Sequence, residues 1–313
     1  MKRKIVKHGE ATLTISLPAK WVKKLNLKQG EELEVEEEKN KLIISRSLDQ
    51  KERSITIKIS PDSNRYVRSY IGRLYREGYT TIIAEYQDSK TITAIKSATS
   101  NLMGAEIIKT EINKCTIKVF PVEDLEINIE EYLRKMLMTL MTIFDILNED
   151  LIKGKYDRHE LLEELRNNNW QTRDLILRKA SLNSFLYEYY NSLATMTFCY
   201  EKLGTKINGF YKRHIKISLD AKKRTSSLYI KEGFKEINSA LSWLIEKVSQ
   251  KKEVSLEEET SFRDSILSLN LKILKLLHEN KAKEADILTI IYFSLELLDA
   301  TVSYLSEYKK LQK

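Results

Sequence analysis

The sequence predicts a multidomain chain: an N-terminal β-hairpin module, a small α/β domain, and a C-terminal all-α antiparallel helical bundle. Three observations carry this. The first 46 residues alternate in strand fashion around one proline-led stretch. Residues 53–120 mix strand-like and helix-like runs. From Asp124 onward, apolar residues recur every three or four positions. A length of 313 residues suits two or three domains. With only 9 Gly and 3 Pro, long disordered linkers are not expected.

The first module reads as strands with one short helix. Ala11–Leu17 alternates polar and β-forming residues. Pro18 suits the first turn of a helix, where its missing N–H costs nothing. Trp21, Val22 and Leu25 form the apolar side of that helix. Lys28-Gln29-Gly30 is a turn. Glu32–Glu38 and Lys41–Ser45 pair across a tight Lys39-Asn40 turn. So small a unit cannot bury a proper core alone, and dimerisation is the remedy.

The second domain opens on the strand Ser54–Ile59. Pro61-Asp62 begins a helix that buries Val67, Ile71, Leu74 and Tyr75. Thr80–Ala84 and Thr91–Ile95 read as the next strands. A short helix near Ser97–Leu102 follows, then strands over Glu106–Lys109 and Thr116–Phe120. Gly72, Gly78 and Gly104 lack the spacing of a nucleotide loop.

The third domain is a run of helices. Ile129, Leu133, Met136, Leu140, Phe144, Leu147 and Leu151 mark the first. A more polar helix covers about 160–178. Leu182, Leu186, Tyr189, Leu193, Met196, Tyr200, Leu203, Ile207 and Phe210 read as one unbroken face. Helices near 228–249, 258–279 and 284–310 complete the set, the last along Ile287, Ile291, Leu295, Leu298, Val302 and Leu305. Such stripes pack as an antiparallel bundle, and helix count and length suggest two three-helix repeats, 125–213 and 225–311.

The formal charge is +8, from 53 basic and 45 acidic residues. The sum permits a nucleic-acid partner, and its distribution says more. Lys2, Arg3, Lys4, Lys7, Lys20, Lys23, Lys24 and Lys28 meet only Glu10 in the first 30 residues, whereas Glu31–Glu38 holds six glutamates. Two copies of a basic arm side by side would attract phosphates and release counterions. Arg3 suits bidentate contact with a base or phosphate, the lysines serve as point charges, and His8 adds hydrogen bonds. The DNA-contacting residues expected are therefore Arg3, Lys4, Lys7, His8, Lys20, Lys23 and Lys24.

These residues also carry a resemblance. Lys7-His8-Gly9, Thr12–Pro18, Trp21, Leu25-Asn26-Leu27, Lys28–Leu33 and Lys41–Ile44 resemble the swapped-hairpin domain of the AbrB/SpoVT family. The resemblance implies an intertwined homodimer whose basic hairpins contact DNA. Glu10-Ala11 stands where some members carry more basic or glycine-rich residues. Ser16-Leu17-Pro18-Ala19-Lys20-Trp21 is similar to the form fused to PhoU-like helical domains in archaeal phosphate uptake regulators. In that family three-helix repeats present carboxylates that bind metal clusters. Here Glu201 matches the first acid of the signature, but Thr205 stands at the aspartate position. Asn167-Asn168-Asn169-Trp170-Gln171 replaces expected acids, and Asp299 is partnered by apolar Leu295. No metal or other cofactor is therefore expected.

His159, His214 and His278 share no ligand spacing, and Trp170 and Trp243 read as packing residues. Cys115 and Cys199 form no spaced pair. No residue group supports a catalytic device, so the chain is read as a non-enzyme. Without a signal peptide or an 18-residue apolar run, a cytoplasmic protein with no membrane insertion is expected. The expected domains are 1–48, 53–122 and 124–313. The leading function is a DNA-binding transcriptional regulator of phosphate uptake or related signalling. It would act as a homodimer or higher homo-oligomer, its helical domain sensing a signal or binding a partner. The alternative is an interaction protein of a phosphate transporter or sensor pathway, its first module serving mainly for dimerisation.

Overall fold

The computed structural model describes residues 2–9, 12–38, 41–46, 53–120, 128–217, 228–250, 252–278 and 285–311. The chain divides into two compact units, Met1–Glu52 and Arg53–Lys313. Glu10-Ala11, the Lys39-Asn40 turn and Asp124 lie outside the described residues, as does the side chain of His214.

The first unit holds two separate hairpins and one helix. Strand β1 (Val6–His8) pairs antiparallel with β2 (Thr12–Thr14). Gly9, at φ +80°, opens the turn between them in a region that β-carbon sterics deny to most residues. Helix α1 (Ala19–Leu25) follows. Pro18 precedes its first helical residue as the N-cap, with extended backbone, and its carbonyl accepts from the Val22 N–H at 3.0 Å. Asn26 ends the helix in the left-handed region at φ 54°. Strands β3 (Leu33–Glu38) and β4 (Lys41–Arg46) pair from Leu33↔Arg46 to Glu38↔Lys41.

The second unit begins with a four-stranded sheet of order β5-β6-β8-β7. Its strands are β5 (Ser54–Lys58), β6 (Thr81–Glu85), β7 (Ala105–Glu111) and β8 (Lys114–Val119). β5 and β6 are parallel, joined by a 3-10 turn (Pro61–Tyr66) and helix α2 (Val67–Arg76). The other pairings are antiparallel. Burial alternates along β6 and β8, so Ile82, Ala84, Cys115, Ile117 and Val119 meet Val67, Ile71, Leu74 and Tyr75 in one core.

Thr91–Ile95 is helical, not a strand, and Ser97–Thr99 ends the same helix, α3 (Ser89–Thr99). The Asp88 side chain caps it by accepting from the Thr91 N–H at 2.7 Å. Thr91, Ile95 and Ala98 then fall on one buried face at a spacing of four and three. β-branched residues there imitate strand composition, but the cap and the packing decide.

Six long helices follow: α4 (Ile129–Lys153), α5 (His159–Leu182), α7 (Tyr190–Ile217), α8 (Leu228–Ser249), α9 (Leu256–His278) and α10 (Ala285–Leu311). A single turn, α6 (Ser184–Tyr187), stands between α5 and α7. The expected unbroken face from Leu182 to Phe210 is therefore interrupted. Asn183 takes an extended backbone at the end of α5, and its Oδ1 accepts from the Leu186 N–H at 3.0 Å. Leu182 belongs to α5 and is exposed, while Tyr189, Leu193, Met196, Tyr200, Leu203, Ile207 and Phe210 are buried. α7 packs on α4, α5 and α10, and α8 on α4, α9 and α10, around one apolar core.

The sheet layer and the bundle meet where α2 lies against α5. The Arg178 guanidinium of α5 donates to the carbonyls of Tyr75 (2.6 Å) and Tyr79 (3.0 Å). The Ser181 hydroxyl donates to the Arg76 carbonyl at 2.5 Å. The last turn of α2 and the turn after it are thus tied to a helix about a hundred residues away.

Candidate nucleic-acid interface

The candidate interface is built on the first unit, where every described basic side chain is exposed. The cross-strand register pairs Lys7 with Leu13, His8 with Thr12 and Val6 with Thr14. Residues directly opposite share a face, and neighbours along a strand alternate. Lys7 therefore lies on the Leu13 face, and His8 on the face of Val6, Thr12 and Thr14. Sequence order suggested a single basic arm; the pleat separates its two best-placed members. Arg3 precedes the strand, and its Nη1 donates a long bond to Ser16 Oγ at 3.4 Å. Lys4 is exposed beside it.

Lys20, Lys23 and Lys24 stand on α1, exposed, with Trp21, Val22 and Leu25 half-buried on the opposite side. Lys20 shares a helix face with Lys23 and Lys24 by spacing. The latter two sit in the last turn, where cations also offset the helix dipole. These lysines thus have a local role whether or not phosphate is bound.

Among the described residues of this unit none is buried. Ile5 and Leu13 are each 67% exposed, Leu42 is 64% and Val35 is 59%. By register, Leu33, Val35, Leu42 and Ile44 share one face of the second hairpin. Among its described residues, a single copy of this unit therefore has strands and no core.

The acids singled out in the bundle are held by cations and hydroxyls. Glu201 is 3% exposed. Arg173 Nη1 donates to its Oε2 at 3.1 Å, and Thr205 Oγ1 donates to its Oε1 at 2.8 Å. Asp299 lies 3.7 Å from Arg263, and burial raises its carboxyl above the ordinary range. Among the described residues no three or more His, Cys, Asp or Glu side chains converge on a point able to hold a metal ion. Among them, too, no helix is long and apolar enough to cross a membrane.

Sequence reasoning missed an arginine-rich joint. Arg68 and Arg76 of α2 meet Arg166, Trp170, Arg173 and Asp174 of α5. Trp170 had read as packing, and these arginines drew no notice, because their meeting depends on a contact across about a hundred residues. The only signal in the sequence was three large polar or aromatic residues at i, i+4 and i+7 on a helix of low amphipathicity.

Residues 8–53 match the protein family described as antidote-toxin recognition MazE, bacterial antitoxin. The match begins at His8, so it takes in β2, α1, β3 and β4 but not Arg3, Lys4 or Lys7, and none of the four-stranded sheet. Among curated proteins none matches the chain.

Proposed function

We propose that two copies of the N-terminal module intertwine into one core and present their basic hairpins to DNA, making the chain a transcriptional regulator. The observation that carries this reading is a unit with strands, exposed basic side chains and no buried residue among those described. Ile5, Leu13, Ile15, Val35 and Leu42 are each half or more exposed, and full burial of such a side chain contributes at most about 1.5–3 kcal/mol. Two copies supply the set twice, a gain on the scale of the general cost of association, so a second copy is a sufficient partner. The likeness of residues 8–53 to an antitoxin family supports a regulatory, non-enzymatic role. Regulation of phosphate uptake is the more specific form, and it rests on the resemblance of the helical region to PhoU-like domains.

A second reading has its own observation. Lys7 shares a face with Leu13, so part of the basic arm borders the apolar surface that dimerisation would cover. In that reading the module serves mainly to pair two chains, and the helical region meets a transporter or sensor protein.

DNA binding measured against salt separates the two. On a promoter fragment, log affinity should fall linearly with log salt, and Arg3→Ala should reduce the slope by about 2 for a dimer that loses two phosphate contacts. Specific binding should survive excess unrelated DNA. Failure to retard any chromosomal fragment at low salt, with a dimer intact, would sink the regulator and leave the pairing module.

A further inference from the structure

The joint between α2 and α5 holds positive charge that its own carboxylates do not balance. Arg166, Trp170 and Arg173 stand on one face of α5. From α2, the Arg68 guanidinium lies 3.5 Å from the centre of the Trp170 ring. Arg166 and Arg173 lie 5.1 and 5.9 Å from the same point. Arg76 and Arg173 share Asp174, and Arg173 also reaches Glu201. Arg166 and Lys212 share Glu163. Those four cations meet three carboxylates, and Arg68 is a fifth.

Beyond its stack on Trp170, Arg68 makes only long hydrogen bonds. Its guanidinium donates to Asn167 Oδ1 at 3.4 and 3.5 Å, and among the described residues no carboxylate pairs with it. Burial, then the like charge of Arg166, pulls its pKa down to about 10. On its neighbours, Arg166 Nε and Trp170 Nε1 are buried and have no acceptor among the described residues. Uncompensated charge and idle buried donors are both costly, and one species relieves both: an anion with several oxygens.

We infer that the Arg68–Arg166–Trp170 cluster, backed by the already paired Arg173, binds a small tetrahedral oxyanion of the phosphate class, free or as a monoester. Guanidinium forks match such oxygens bidentately. A tetrahedral oxyanion also offers oxygens in several directions, to donors on both α2 and α5, where a carboxylate offers two in one plane. The site lies between the sheet layer and the bundle, so the ligand would tie α2 to α5 at a second point beside the Arg178 clamp. This holds whether or not the N-terminal module binds DNA.

The test is calorimetric titration of the full chain with inorganic phosphate and, separately, ribose 5-phosphate, at fixed ionic strength set by chloride. At least one should bind saturably, one per chain, with a Kd of about 1 mM or tighter. The tighter of the two identifies the free or the esterified form. Asn167→Asp places a carboxylate where Oδ1 already faces Arg68 and, at 3.2 Å, Arg166. This internal counterion should weaken binding about tenfold or more and raise the melting temperature in chloride. Arg68→Gln should lose binding too, with helical content unchanged. No saturable binding of either probe to the natural chain overturns the inference, as does unaltered affinity in either variant.

Discussion

Glu201 and Asp299 differ in how the fold holds them, and the difference decides what each does. Both oxygens of Glu201 are taken, one by Arg173 and one by Thr205, so a cation would have to displace a buried guanidinium. The four-residue spacing of Glu201 and Thr205 was legible in the sequence. Arg173, on another helix, was not, because an ion pair across 28 residues is set by packing rather than by periodicity. Asp299 is instead a destabilised carboxylate: burial raises its pKa, with Glu296 and Glu259 adding to the effect against the pull of Arg263. A folded pKa above the unfolded value of about 3.9 means the native state keeps its proton longer. Stability is then lost as pH rises through the folded pKa. Asp299→Asn should therefore melt higher than the natural chain at pH 7, and the gap should close below about pH 4. Thermal denaturation across that range checks it; an equal gap at both ends would refute the carboxylate as the cause.

Helix ends and helix crossings carry the next level. α9 begins with a reciprocal pair: the Glu258 N–H donates to Ser255 Oγ at 3.2 Å, and the Ser255 N–H donates to Glu258 Oε2 at 2.9 Å. Lys247 of α8 donates to the other carboxylate oxygen at 2.6 Å, so one side chain starts α9 and fastens it to α8. These bonds, the Lys247 one foremost, lower the Glu258 pKa to about 2. The contribution is present above the unfolded pKa of about 4.3 and lost as pH falls toward 2. Glu258→Gln should lower the melting temperature at pH 6, and the loss should shrink as pH falls from about 4 toward 2, as the natural side chain takes up its proton. At the α8–α10 crossing, a β-carbon on Gly233 would stand 2.5 Å from Ile291 Cγ2 and 2.9 Å from its Cδ1. Alanine gains about 1 kcal/mol in helix propensity, but overpacking costs about 1–3 kcal/mol. Ile291 is fully buried and β-branched, so it cannot rotate away. Gly233→Ala should lower the urea midpoint; a rise would show that the helices separate freely. Apolar periodicity starts α9 near 258 and singles out neither its cap nor Gly233, since the value of each depends on a partner from another helix.

At the scale of the whole molecule, the first unit has an unfinished core, and that sets its assembly. A charge placed on the Leu13 face should prevent pairing. Leu13→Glu in the full chain should give a monomer by sedimentation and abolish DNA retardation, while the helical signal of the second unit persists. A dimeric Leu13→Glu chain that still binds DNA would remove this face from the interface. The natural chain should also melt at a temperature that rises with protein concentration in the transition of its first unit, as association stabilises the paired state by mass action. The second unit needs no such help, since its sheet and its bundle each enclose a core of their own.

Residue order alone was enough for the pairing of 32–38 with 41–45, the change from period two to a helical period, and the buried stripes of Leu133–Leu151 and Leu193–Phe210. These follow from local alternation and from the transfer of apolar surface out of water, both written in residue order. It misled at Thr91–Ile95, where β-branched composition outweighed an aspartate cap, and at Asn183, where one side chain broke a face that periodicity ran straight through. The tertiary structure alone decided which charges meet. Arg68 reaches Trp170, Arg178 closes the end of α2, and Arg173 occupies Glu201, each across a separation that no periodic pattern encodes. The basic hairpin that opens the chain is similarly divided: its charge was plain in the sequence, but the pleat put Lys7 and His8 on opposite faces.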